Sequence, residues 1–124
     1  MQRLDAEAED DLLLRRWNRL RMYVRCGLYA HHSGYIRLYV KAGLAIARRD
    51  IRPAREVHLR VLQTLLSTGQ DEALPWSWRN ACLDHLDLPV ANLTPLLAVD
   101  DPVALRAIEA GVQRARDGLP ALPG

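Results

Sequence analysis

Residues 53–69 read PAREVHLRVLQTLLSTG and determine the predicted fold. Apolar residues recur in this stretch at steps of three and four, as they do along a helix that is buried over more than half of its circumference. Pro53 is a favoured residue in the first turn of a helix, and Gly69 is a common left-handed cap after the last turn. We therefore predict a helix over residues 53–68 that lies at the centre of the core.

Two further long helices are predicted between the amino terminus and this central helix. Residues 34–49 are apolar almost all round, which leaves only a narrow polar arc for solvent. Residues 5–32 place apolar side chains at three- and four-residue steps along one face. We expect this face to be buried, and its members are Leu13, Trp17, Leu20, Val24, Leu28 and His31. Ser33 and Gly34 are the expected end of this first helix.

Shorter helical segments are predicted in the second half of the chain. One helix spans residues 77–86 and is expected to stop before Pro89, because the residue that precedes a proline is disfavoured in the helical conformation. Thr94, followed by a proline, predicts one or two further turns.

The last predicted helix covers residues 102–117. Asp101 followed by Pro102 is a strong signal for a helix start, because aspartate caps free backbone N–H groups and proline is favoured in the first turn. Residues 119–124 contain two prolines and a glycine, and we expect them to form a frayed tail.

Length and composition agree with an all-helical fold. The 124 residues are enough for one domain, and abundant leucine and alanine with no phenylalanine and few β-branched residues favour helix over strand. The sequence predicts a single all-α domain over residues 1–124, a bundle of about four to six helices. No stretch approaches the roughly 18 apolar residues of a spanning helix, and the acidic residues 1–11 do not resemble a secretory signal. We expect a cytoplasmic protein that does not cross a membrane.

The net charge of +2 conceals three segments of different sign. Residues 1–11 have a balance of −4, residues 12–60 one of +10, and residues 61–124 one of −4. Sixteen of the seventeen basic residues are arginine, whose planar guanidinium is suited to paired hydrogen bonds and to stacking on aromatic rings. The basic segment therefore indicates a contact with another macromolecule. A GC-rich genome would give the same arginine bias without any such contact.

Residue types that carry catalysis or bind metals are few. Cys26, His31, Cys82 and His85 include two possible ligand pairs, but neither pair has the spacing of a zinc module. Cys82 and His85 are also the one local pair of a nucleophile and a base. No glycine-rich phosphate loop is present. We expect two reduced thiols, no metal, no cofactor and no enzymatic activity.

Protein binding is the function that we favour from the sequence. Met22 and Tyr29 lie on the face of the first helix opposite its core face, among Arg15 and Arg19, and such a face is either a second packing surface or a binding surface. Trp, Tyr and Arg are the residue types that dominate interface hot spots. The predicted partner-binding residues are Arg15, Arg19, Met22, Tyr29, Trp76 and Trp78. This pattern is typical of adaptors, regulators and toxin-neutralising immunity proteins, and the same surface is compatible with a homodimer.

Nucleic-acid binding is the alternative. Residues 15–60 intersperse all four tyrosines with arginines, a combination that suits single strands and RNA loops. The predicted nucleic-acid contacts are Arg37, Lys41, Arg48 and Arg60. The second and third helices could also form a helix-turn-helix, and the groove-facing residues would then be Glu56, Arg60, Gln63 and Thr64. Residues 12–28 form a basic amphipathic helix, but such a helix inside a folded domain usually packs on its own core, so we expect no membrane contact.

Overall fold

A computed structural model describes residues 2–122 of the chain. Within these residues the structure has six α-helices and no strand. The helices are α1 Gln2–Cys26, α2 Gly34–Arg48, α3 Ala54–Gly69, α4 Trp76–Asp84, α5 Asp87–Leu97 and α6 Pro102–Gly118. The predicted all-α bundle is therefore confirmed.

Helix α3 is the central element of the fold, as the quoted stretch predicts. It contacts each of the other five helices. Val57, Val61 and Leu65 are almost fully buried, and they belong to one hydrophobic cluster to which all six helices contribute. Burial of this much apolar surface around a single helix is the main favourable contribution to folding.

Helices α2 and α6 begin and end close to their predicted bounds. The buried side of α2 packs in the core through Ile36, Tyr39 and Ile46. At the start of α6 the carboxylate of Asp101 accepts a hydrogen bond of 3.1 Å from the backbone N–H of Ala104, which satisfies one of the free donors of the first turn. The features that predicted these two helices lie within the helices or directly beside them in the sequence, and the observed bounds agree with them.

Helix α1 ends at Cys26, six residues before the predicted end at residue 32. Gly27 has a φ of +60°, and its N–H donates to the carbonyl of Val24, while the N–H of Leu28 donates to the carbonyl of Tyr23. These two bonds form a Schellman motif, in which a left-handed glycine ends the helix. Leu28 and His31 are therefore exposed and do not extend the buried face, and that part of the prediction is wrong.

Gly69 has a different role from the predicted left-handed cap. It is the last residue of α3 and lies in helical conformation, and Gln70 follows it in the right-handed region. A Cβ on Gly69 would lie 2.7 Å from Cγ of Leu83. The glycine thus permits the close approach of α4 to α3.

Helix α5 was not predicted over its full length. Pro89 was expected to end the preceding helix, but it lies in the first turn of α5, where a missing N–H costs nothing because that group has no partner within the helix. Pro95 lies inside the helix, one residue after Thr94, whose hydroxyl donates to the carbonyl of Val90 at 2.8 Å. The eleven residues of α5 replace the one or two turns that were expected.

The predicted frayed tail is partly wrong. Leu119 is half-buried and packs against the core, and the carbonyl of Pro120 accepts a hydrogen bond from the indole N–H of Trp76. The last two positions of the predicted tail, residues 123–124, lie outside the described residues.

Candidate interaction surfaces

The side of α1 that points away from the core carries three large apolar residues. At about 100° per residue, Leu4, Leu12, Arg15, Arg19 and Met22 fall within an arc of about 80° on this side. We call these five residues the outward face. Leu4 is 68% exposed, Leu12 63% and Met22 58%, and both arginines are exposed as well. The later helices do not cover this surface.

Tyr29 does not belong to the outward face, contrary to the prediction. Because α1 ends at Cys26, Tyr29 lies in the turn between α1 and α2. Its ring packs edge-on against Tyr23, with 5.0 Å between ring centroids, and lies 4.9 Å from the ring of Tyr35. Tyr29 is half-exposed at the rim of this aromatic cluster.

The two tryptophans predicted as partner contacts have other roles. Trp78 is only 1% exposed, and its indole N–H donates to the carbonyl of Val24 at 2.8 Å. It is therefore a core residue that connects α4 to the end of α1 through this hydrogen bond. Its assignment as a partner-binding residue is wrong. Trp76 is partly exposed, with its indole N–H bonded to the carbonyl of Pro120.

The residues predicted for nucleic-acid binding do not share one surface. Arg37, Lys41 and Arg48 are exposed on α2, and the first two line a cleft of about 330 Å³ beside Asp84 and Asp87. Arg60 is on α3 and lines neither that cleft nor its rim. Its guanidinium lies 5.7 Å from the ring centroid of Trp17 in α1, within the range of a cation–π contact.

The helix-turn-helix interpretation is wrong for α3, the helix that was expected to enter the DNA groove. Thr64 was expected to face a DNA groove, but it is buried, accepts a hydrogen bond of 3.0 Å from the hydroxyl of Tyr39, and donates to the carbonyl of Arg60. Half of the residues of α3 are buried against the other helices, which is typical of a core helix and leaves little of its surface for a major groove. Glu56 and Gln63 are exposed, but Arg60 is only half-exposed between α1 and α3.

The cysteines and histidines do not form a reactive or metal-binding centre. Burial raises the pKa of the Cys82 thiol to about 12, which disfavours the thiolate that a nucleophile needs. Nδ1 of His85 lies 2.8 Å from the carbonyl oxygen of Ala81, its own helix neighbour. Cys26 is exposed and Cys82 buried, both as free thiols. Across residues 2–122, no three His, Cys, Asp or Glu side chains are grouped so as to hold a metal ion.

A concave feature that the sequence did not predict lies between α1 and α3. It is a cleft of about 440 Å³, which we call the α1–α3 cleft. Its polar lining consists of Arg21, Arg25, Arg60, Gln63, Thr64 and Ser67. A second, smaller cleft of about 270 Å³ adjoins it and shares Arg60. The polar residues recur at helical spacing along both helices, but the sequence does not reveal that the two stripes face each other.

Charges at the α1–α3 cleft affect neighbouring titratable groups. Burial raises the pKa of Tyr39 to about 12, and the hydrogen bond to Thr64 and the positive charges of Arg21 and Arg60 offset part of that rise. At the other end of the cleft, the hydrogen bond from Arg25 at 2.7 Å holds the pKa of Asp71 below its ordinary value. Arg25 is thus partly neutralised, whereas Arg21 has no ion-pair partner among the described residues.

Two further findings bear on function. Within residues 2–122, none of the helices combines the length and apolarity required to cross a bilayer. Comparison of the chain with protein-family models, with curated proteins and with solved structures found no match.

Proposed function

We propose that this chain is a small cytoplasmic helical module that binds another protein through the outward face of α1 and has no catalytic activity of its own. The class includes adaptors, regulators and toxin-neutralising immunity proteins. The thiol of Cys82, the nucleophile that the sequence places near a base, is buried with its pKa raised to about 12, and this supports the non-catalytic part of the proposal.

The observation that carries the proposal is the exposure of Leu4, Leu12 and Met22 on one side of a single helix. Single exposed apolar residues are normal on protein surfaces, and what supports a contact surface here is that three of them share one side of α1 with two arginines. The opposite side of α1 supplies Trp17, Leu20 and Val24 to the core, so the outward residues are not needed for packing within the chain.

The chemistry of the outward face suggests the kind of partner. Leu4 and Leu12 lie at one end and Met22 at the other, with Arg15 and Arg19 between them. Such a surface fits a partner helix or shallow groove with apolar residues at both ends and carboxylates in the middle, because buried apolar contacts supply affinity and charge pairs supply specificity. Two arginines facing an apolar partner would lose hydration without compensation.

A second copy of the chain is the main rival partner. The acidic residues of α1 lie before residue 12, and all of its arginines except Arg3 lie from residue 15 onward. Two antiparallel α1 helices would place the acidic part of each against the basic part of the other. A homodimer would have a mass of about 28 kDa, twice the 14.0 kDa of the chain.

Site-specific photo-crosslinking in the native host tests the proposal. A benzophenone amino acid is placed at Leu12 or Met22, and at Val103 on α6 as a control of similar exposure. We expect one discrete adduct from Leu12 and Met22, resistant to nuclease and absent from Val103. Equal labelling at Val103, or no adduct at all, would contradict the proposal. An adduct at about 28 kDa that contains only this chain would identify a homodimer instead.

A nucleic-acid partner is tested separately. If the arginines serve a protein interface, random DNA and RNA should bind only weakly at about 0.15 M salt, where electrostatic screening acts over about 8 Å. Binding by phosphate contacts would weaken with salt with a log–log slope of about −0.7 to −0.9 for each contact. A fluorescence-anisotropy titration with sub-micromolar affinity at that salt, lost when Arg37 and Arg48 are replaced by alanine, would favour the nucleic-acid function.

A further inference from the structure

The α1–α3 cleft gathers more positive charge than the packing of the two helices requires. Arg21 and Arg25 reach it from α1, and Arg60 reaches it from α3. None of the residues that line it is acidic. Three guanidinium groups around one concavity repel one another, and an anion between them would relieve that repulsion.

Each of the three arginines is held differently. Arg60 is half-buried, and its guanidinium carbon lies 5.7 Å from the centroid of the Trp17 ring. One guanidinium nitrogen of Arg25 donates to the carboxylate of Asp71 at 2.7 Å, so the charge of Arg25 is partly compensated. Arg21 is exposed and has no ion-pair partner among the described residues. Two guanidinium groups that have no ion pair with a described residue, beside a third that is partly neutralised, make a suitable binding site for an anion with several oxygens.

Neutral donors complete the lining. Gln63 and Ser67 lie on α3 at the same cleft and are exposed, so their side chains are available to a ligand. The Thr64 hydroxyl is already engaged with Tyr39 and with a backbone carbonyl. A volume of about 440 Å³ falls within the range of small-molecule sites, which is about 300–1,000 Å³.

We propose that the α1–α3 cleft binds a small phosphorylated ligand with at least two phosphoryl groups, through Arg21 and Arg60 with support from Arg25. Arginine forks match phosphate and carboxylate oxygens in pairs, but a single carboxylate would compensate only one of Arg21 and Arg60, the two cations of the cleft that have no ion pair with a described residue. The proposal does not rest on protein binding, since the cleft and the outward face have only Met22 in common.

Isothermal titration calorimetry at about 0.15 M salt tests the proposal, with pyrophosphate as the probe. Inorganic phosphate and citrate serve as comparison anions, because the first has one phosphoryl group and the second has several carboxylates. We expect pyrophosphate to bind at least tenfold more tightly than either. Equal binding of citrate, or no binding of millimolar pyrophosphate, would overturn the proposal, as would binding of an oligonucleotide without binding of pyrophosphate.

Variants locate the binding to the cleft. Arg21→Ala should weaken pyrophosphate binding at least tenfold, about the effect of losing one charge-assisted hydrogen bond. Arg48→Ala removes the same charge from an exposed position on α2 and should change the affinity less than twofold. Arg60→Lys keeps the charge but removes the paired donors, and an intermediate loss is expected. Equal losses in Arg21→Ala and Arg48→Ala would show that net charge alone attracts the anion. Circular dichroism confirms that each variant is folded.

Discussion

Helices α1 and α3 differ in how much of their surface is buried within the protein. Half of the 16 residues of α3 are buried, and it contacts each of the other five helices. Of the α1 side chains that the structure describes, only Trp17, Leu20 and Val24 are buried, although this helix has 25 residues. The longer helix thus contributes fewer residues to the core, and its surface is available for other contacts.

Because of this difference, substitutions in the two helices should affect different properties. Those on the buried side of α3 should change stability, and those on the outward face of α1 should change binding. A substitution on the buried side of α3 leaves a cavity among close-packed side chains, so its effect appears in the free energy of unfolding. A substitution on the outward face of α1 removes no contact within the chain, so its effect should appear in binding alone. The α1–α3 cleft lies where the two helices meet, and one of its arginines, Arg60, lies over the buried ring of Trp17.

Leu65→Ala should produce the largest change. Leu65 is fully buried in α3, and truncation of a buried leucine lowers the free energy of unfolding by about 2–5 kcal/mol. Urea denaturation followed by circular dichroism measures the change. A loss below about 1 kcal/mol would show that the neighbouring helices collapse around the cavity and that α3 is less tightly enclosed than the structure indicates.

Gly27→Ala tests the end of α1 and should have the next largest effect. Gly27 has a φ of +60°, a conformation that costs a residue with a Cβ about 1–2 kcal/mol. The new methyl group would also lie 2.9 Å from a terminal carbon of Leu74, a flexible group that can move aside. We expect a corresponding fall in the free energy of unfolding by urea denaturation. Gly34→Ala is the matched control, because nothing lies within 4 Å of a Cβ there.

Gly27 also illustrates why the fold could be predicted only in part. The helix starts at Pro53 and Asp101 depend on a few adjacent residues, so they could be recognised from the sequence. The apolar periodicity of α1 continues through Leu28, and nothing in the pattern shows that Gly27 adopts a left-handed φ. The same holds for Pro89, because a proline is equally compatible with the end of one helix and the first turn of the next.

The candidate sites depend still more on tertiary structure. Arg15, Arg19 and Met22 follow from the periodicity of one helix, and they lie together on the outward face as predicted. Trp78 could not be assigned, since a tryptophan suits an interface and a core equally well. The α1–α3 cleft requires knowledge of which stripes face each other across two helices. Thr64 looked exposed because it is polar, but its hydroxyl is satisfied by partners within the core.

The ion pair between Arg25 and Asp71 connects the end of α1 to the chain two residues after the end of α3, and its effect should be modest because the pair is exposed. The hydrogen bond from Arg25 lowers the pKa of Asp71 below 3.8, so any stabilisation is present above that pH and is lost as the pH falls through the lowered pKa. Arg25→Ala should raise this pKa toward the ordinary value, although the N–H of Ala73 still favours the carboxylate. Carbon-detected NMR titration measures it, with Arg21→Ala as a control that leaves it unchanged. If Asp71 titrates at its ordinary value in the wild type, the ion pair between Arg25 and Asp71 does not form in solution.

Leu12→Ala should produce the smallest change in stability and completes the comparison with Leu65→Ala. The two substitutions remove the same atoms, but Leu12 is 63% exposed and alanine is at least as favourable as leucine within a helix. We therefore expect the free energy of unfolding to stay within about 0.5 kcal/mol of the wild type. If the outward face is a contact surface, this variant should nevertheless lose most of the adduct formed by a photo-crosslinker at Met22, because a truncated anchor residue weakens an interface without affecting the free protein. A stability loss comparable to that of Leu65→Ala would mean that the outward face of α1 is covered within the protein itself, and then the surface that carries the proposed function would not exist.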